Sequence, residues 1–242
     1  MRHPHTWRHS GALSRRQVLR LATGAVCRLA AAEQRRIAPA DEAEHDPELA
    51  ALLGKMRGLA AQRDYAGLET LMLPTFRVEF DAGKGPAAFR RRWHSESKSS
   101  ELWGVLDRLF SLGGTFYSET VFAIPYVYSR FPGDLDILGH VVAVKPGARV
   151  VDQPGSAGAP VGTLDYTIVP LVHGLVPPVT ITTGRYLEVK WPEAAGRCFV
   201  AEADVYSPAA HRAFFEKRQG RWRWISLACA TLADPPGLRQ AR

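Results

Sequence analysis

The sequence predicts an α+β fold: a helical/α+β N-terminal region, a middle rich in short strands, and a closing β-hairpin. Three observations predict it. Leu49, Leu52, Leu53, Met56, Leu59 and Ala60 recur at three- and four-residue steps, one face of a helix. Phe76, Val78 and Phe80 alternate as in a strand. Near the C-terminus, two runs that read as strands flank Gln219-Gly220, a hairpin signal.

The N-terminal elements follow in order. Residues 33–47 are polar and acidic and read as a linker. After the helix over 49–60, Asp64 can cap a second short helix, Tyr65 to Met72, ending before Pro74. Residues 75–80 read as a strand, and Asp81-Ala82-Gly83-Lys84-Gly85 as a turn. Pro86 suits the first position of a helix running to Trp93. Ser99 or Ser100 can cap a further helix with Leu102, Val105, Leu106, Leu109 and Phe110 on one face, stopped by Gly113-Gly114. Residues 115–131 are rich in aromatic and β-branched types and read as extended, interrupted at Pro125.

The middle carries a recognisable spacing. Val141-Val142-Ala143-Val144 opens it, a Gly/Pro-rich loop over 153–160 follows, then Val161-Gly162-Thr163-Leu164 and the apolar run Thr167 to Val172. It closes with Tyr186-Leu187-Glu188-Val189-Lys190 and Gly196-Arg197-Cys198-Phe199-Val200. Residues 142–206 so arranged resemble a bacterial Src-homology-3-like domain. Ala159-Pro160-Val161-Gly162-Thr163-Leu164 keeps that family's pattern, and Tyr186-Leu187-Glu188-Val189 stands for its Trp-x-x-Val step. The first signature departs from it: Arg149 replaces Asn, Val151 replaces Arg and Gly155 replaces Ser. The resemblance implies a small β-barrel, with its lead-in over 121–206, that binds cell-wall peptide, glycan or a partner protein and catalyses nothing. Tyr166, Tyr186, Trp191 and Phe199 are the aromatic candidates for its ligand groove, the alternative being that some of them fill the barrel core.

Beyond it, residues 207–232 read as a helix and hairpin that pack on the N-terminal region. Ser207 and Pro208 can start a short helix through His211, and Ala213–Arg218 pairs with Arg221–Leu227. Trp222 and Trp224 share one side of that hairpin, either packed under the sheet or exposed as a platform. Ser207-Pro208 followed by Phe214-Phe215 and Arg221-Trp222-Arg223-Trp224 resembles the closing hairpin of nuclear-transport-factor-2-like α+β cones. That resemblance implies a second reading, an enzyme or small-ligand binder with a cone pocket, in which Glu79, Glu119 or His94 would act. Residues 233–242 form a tail.

Charge places the chain. The net charge is +7, yet Arg2, Arg8, Arg15, Arg16, Arg20 and Arg28 supply six of those charges within residues 1–32, which hold no Asp or Glu. The remaining 25 basic and 24 acidic residues nearly cancel, which is no footprint for nucleic acid. Ser14-Arg15-Arg16-Gln17-Val18-Leu19 resembles a twin-arginine export motif, and Ala30-Ala31-Ala32 offers a cleavage site. Residues 1–32 are therefore expected to be an export signal, placing the mature chain in the periplasm or outside the cell, with no membrane anchor once the signal is removed. The alternative is a cytoplasmic chain with a basic tail. Cys27 makes no lipobox, since Gly24 and Val26 stand where Leu and a small residue are wanted.

No enzyme motif is present. The chain lacks a Walker loop, a Gly-x-Gly-x-x-Gly run, a Gly-x-Ser-x-Gly elbow and a Cys-x-x-Cys pair. No catalytic residue, cofactor or metal site is expected, although Asp134, Asp136 and His140 lie close in sequence. Cys198 and Cys229 remain after signal removal, as a candidate disulfide or as two buried thiols.

Overall fold

A computed structural model describes residues 34–78, 83–174 and 185–229, and these described residues belong to one compact unit. Arg15, Arg16, Cys27, the Ala30-Ala31-Ala32 site, Glu79, Phe80 and the tail lie outside the described residues.

The first helix, α1 (Pro47–Gln62), starts where the sequence provides both a cap and a proline. Asp46 accepts from Glu48 N and Leu49 N, and Pro47 occupies the first turn. Leu49, Leu53, Met56 and Ala60 form its buried stripe. Asp64 caps α2 (Tyr65–Glu69), which ends earlier than expected because Met72 already belongs to β1 (Met72–Arg77). Helix α3 (Gly85–Trp93) follows. Ser100 caps α4 (Glu101–Leu112), and Gly113, at φ +69°, ends it where a side chain would be strained.

Next come β2 (Thr115–Ser118) and β3 (Val121–Ile124), then a single helical turn, α5 (Tyr126–Ser129), where extended chain was expected. The middle supplies β4 (His140–Ala143), β5 (Ala148–Val151), β6 (Pro160–Leu164), β7 (Ile168–Pro170), β8 (Tyr186–Val189), β9 (Cys198–Ala201) and β10 (Val205–Tyr206). The last two strands are β11 (Arg212–Arg218) and β12 (Arg221–Ala228). Ser207–Ala210 is a turn rather than the expected helix: Ser207 accepts from Ala209 N through Oγ and from Ala210 N through its carbonyl, which closes the chain into β11 at once.

The fold is mixed α+β. A five-stranded sheet runs β1-β12-β11-β3-β2, antiparallel except where β1 lies parallel to β12. Strands from both ends of the chain therefore share one sheet. Trp222 and Trp224 alternate onto the face that packs against α1, α3 and α4, so the hairpin tryptophans are core and not a platform. Trp224 meets Phe76 at 4.8 Å and Phe89 at 5.5 Å, both edge-on. Strand alternation sends Phe214 to the other face from Phe215, against Ala123 and Tyr128, and a bulge opposite the pair leaves Ile225 of β12 unpaired in the register.

Among the described residues, the middle does not close into a barrel. Its strands form a three-stranded sheet, β10-β4-β7, and a four-stranded sheet, β6-β5-β9-β8. Among the described residues they are joined edge to edge by one isolated bridge, Leu171↔Val189. The two sheets instead share an apolar cluster that includes Val141, Val150, Leu164, Val169, Leu187 and Val200. The three-stranded sheet is buried on both faces: Val141 and Ala143 point into that cluster, Val142, Ile168 and Tyr206 into the main one. A continuous apolar run, Val141 to Val144, is the sequence form of such a strand.

Candidate functional site

Strand parity decides what the four-stranded sheet presents. In β8, Leu187 and Val189 point into the β cluster, so Tyr186 and Glu188 point out. In β9, Cys198 and Val200 point in and Phe199 points out, directly opposite Glu188. Arg197 completes this face. Its Nε and Nη2 each meet a Glu188 carboxylate oxygen at 2.8 Å, and its guanidinium lies 5.0 Å over the Phe199 ring. The fork from Arg197 holds the Glu188 carboxyl below its usual range. Phe199 is only 6% exposed, so the reachable surface is Arg197 and the half-buried Tyr186, with Phe199 as their floor.

The structure separates the other two aromatic candidates from this face. Trp191 is core: it belongs to the β cluster and lies over Gly162, where a Cβ would stand 2.6 Å from the indole. Tyr166 sits between β6 and β7 at φ +54°, and its carbonyl accepts from Ile37 N at 2.9 Å. Burial, with Tyr166 adding to it, pushes the Tyr126 phenol up to about 12. Cys198 lies in the β cluster and Cys229 in the main core, and no disulfide joins them.

Of the groups named for a cone pocket, the two that are described do not converge. Glu119 is exposed in the β2–β3 turn, and His94 is exposed at the end of α3. The space between the helices and the five-stranded sheet is filled by Phe76, Phe89, Trp93, Phe122, Phe215 and Trp224. The three neighbouring acid and imidazole groups of the 134–140 loop also part company. Asp134 takes a two-pronged contact from Arg35, Asp136 Oδ1 accepts from Leu138 N, and His140 Nδ1 meets the Asp136 carbonyl. Among the described residues, no group of three or more His, Cys, Asp and Glu is placed to hold a metal ion. No helix among them is long and apolar enough to cross a membrane.

A groove that sequence reasoning missed lies between α1 and α4. It encloses about 570 Å³. Ala60, Ala61, Trp103, Gly104 and Phe110 make its apolar floor. Trp103 is fixed there by Nε1 donating to the Ser97 carbonyl at 2.8 Å. Arg57, Arg63 and Asp107 stand around it. Arg57 is already paired with Asp41 at 3.2 Å and lies 5.9 Å over Phe110. Helical periodicity in each segment was visible, but which two helices pair was not.

No family model matches the chain, and no curated protein matches its sequence.

Proposed function

We propose that the chain is an exported, non-catalytic binding protein whose β-rich middle recognises an extended cell-envelope ligand, a peptidoglycan strand or an envelope protein. The resemblance of residues 142–206 to bacterial Src-homology-3-like domains supports the binding role, and the twin-arginine-like leader supports the location. The observation that carries the reading is the shared outward face of Tyr186, Glu188, Arg197 and Phe199. Arg197 and Glu188 neutralise each other, so stacking and hydrogen bonding dominate, and moderate salt weakens binding little.

The test is retention on purified sacculi of the wild type, Tyr186→Ala and Arg197→Gln, each with a thermal melt. Either substitution lowers affinity roughly 5- to 150-fold in a folded protein. A folded wild type that is not retained ends the wall-binding version and leaves the protein partner. Mutants retained as well as the wild type would move the ligand off this face.

A further inference from the structure

We infer that the groove between α1 and α4 is a second ligand site, for a zwitterion with an apolar body about the size of a dipeptide. It lies outside the β-rich middle and does not depend on the envelope-ligand reading.

Three observations carry the inference. The first is room made at a cost. Gly104 is a helix-interior glycine on the groove floor, and a Cβ added there would meet nothing within 4 Å. No contact inside the fold requires the glycine, and a glycine at such a position weakens a helix relative to alanine. What the missing side chain leaves is open space in a groove lined by Trp103, Phe110 and two alanines. A volume of about 570 Å³ suits a small organic molecule.

The second is a pair of unmatched opposite charges. Among the described residues, the Arg63 guanidinium has a backbone carbonyl, that of Lys98, and no carboxylate partner. Asp107, on α4, has no ion-pair partner among them. Arg57 is already neutralised by Asp41.

The third concerns the carbonyl end of α1, whose partial negative charge would oppose an anion at Arg63. Lys98 Nζ donates to the Gln62 and Arg63 carbonyls at 2.9 and 2.7 Å, which removes that opposition. A simple anion entering the groove meets Asp107, and a simple cation meets Arg63. A ligand carrying a carboxylate and an ammonium on an apolar body satisfies both charges and the floor. The chemistry is that of a short peptide of apolar residues with both termini unblocked.

Leucyl-leucine is the probe, titrated calorimetrically into the full chain at pH 7 and low salt beside its N-acetylated and C-amidated forms. The unblocked dipeptide binds saturably, and each blocked form binds at least about tenfold more weakly. Asp107→Asn removes the penalty on the acetylated form alone, and Arg63→Gln the penalty on the amide alone. Gly104→Leu lowers affinity for the unblocked dipeptide at least about tenfold. Asp107→Asn, at an exposed position, keeps the test valid if Gly104→Leu fails to fold. Absence of saturable binding, equal affinity for the three compounds, or full binding by folded Gly104→Leu overturns the inference. None of these results bears on retention by sacculi.

Discussion

The indole N–H of Trp222, in the last strand, donates to Asp46 Oδ2 at 2.9 Å, although 176 positions separate the two residues. Lys217 Nζ reaches the same oxygen at 2.7 Å. The other oxygen, Oδ1, caps α1 through Glu48 N and Leu49 N. One carboxylate thus starts the first long helix and ties it to the closing hairpin.

Replacing Asp46 by alanine therefore removes a cap, an ion pair and an indole acceptor together. The expected loss is about 2–4 kcal/mol. Asp46→Asn keeps a capping oxygen and loses roughly half as much. Urea unfolding of the three proteins measures both, and an alanine variant as stable as the wild type would refute the joint role.

The same carboxylate sets an acid dependence. Hydrogen bonds from Lys217 and then Trp222 hold its pKa down to about 2. In the unfolded chain it titrates near 3.9. A carboxyl depressed on folding contributes fully above the unfolded value and loses that contribution as pH falls from about 4 to about 2. After discounting for its partial exposure, the loss is on the order of 1 kcal/mol. Wild type and Asp46→Asn should converge in stability across that window; parallel curves would count against it.

Elements that depend on local chemistry were legible in the sequence, and those that depend on pairing were not. The Leu49–Ala60 stripe, the Ser100 cap, the Gly113 stop and the turn at Gln219-Gly220 are encoded within a few residues, and the structure has each. Ser207-Pro208 offered a helix start, but the Ser207 oxygens serve a turn instead. Tyr186 and Phe199 share one face only because Glu188 pairs with Phe199 across the sheet, a register the sequence does not state. Trp191, just after β8, carried no parity to place it, and it went into the core. Asp46 reads locally as a cap, while its two other partners lie in the hairpin.

Core and surface aromatics of the middle should part in melting experiments. Trp191→Ala leaves a cavity against Gly162 and costs about 3–5 kcal/mol. Tyr186→Ala, at a half-buried position, costs less than about 1.5 kcal/mol. Equal shifts in Tm for the two would contradict the assignment of Trp191 to the core.

The cysteines give a chemical check. Burial raises the Cys198 thiol above its usual pKa, so its thiolate is scarce at neutral pH. Both Cys198 and Cys229 should resist alkylation in the native protein and react fully in denaturant without any reductant. A need for reductant would reveal a disulfide that the described fold does not contain.

Export is tested separately. Cells making the wild type should hold it in the periplasm, and an Arg15→Lys, Arg16→Lys double variant should stay in the cytoplasm. Full-length protein found wholly in the cytoplasm in both strains would reject the leader.

The position of β12 sets an order on synthesis. It lies between β1 and β11, yet it is the last of the described strands to be made. Until Ala228 has emerged, β1 has no sheet neighbour, and Phe76 and Phe89 lack the tryptophan that closes over them. A stalled or truncated chain therefore presents an open strand edge beside unburied aromatic rings, the combination that invites aggregation. The five-stranded sheet is completed only once β12 is made, and the nascent chain needs protection until that hairpin is released.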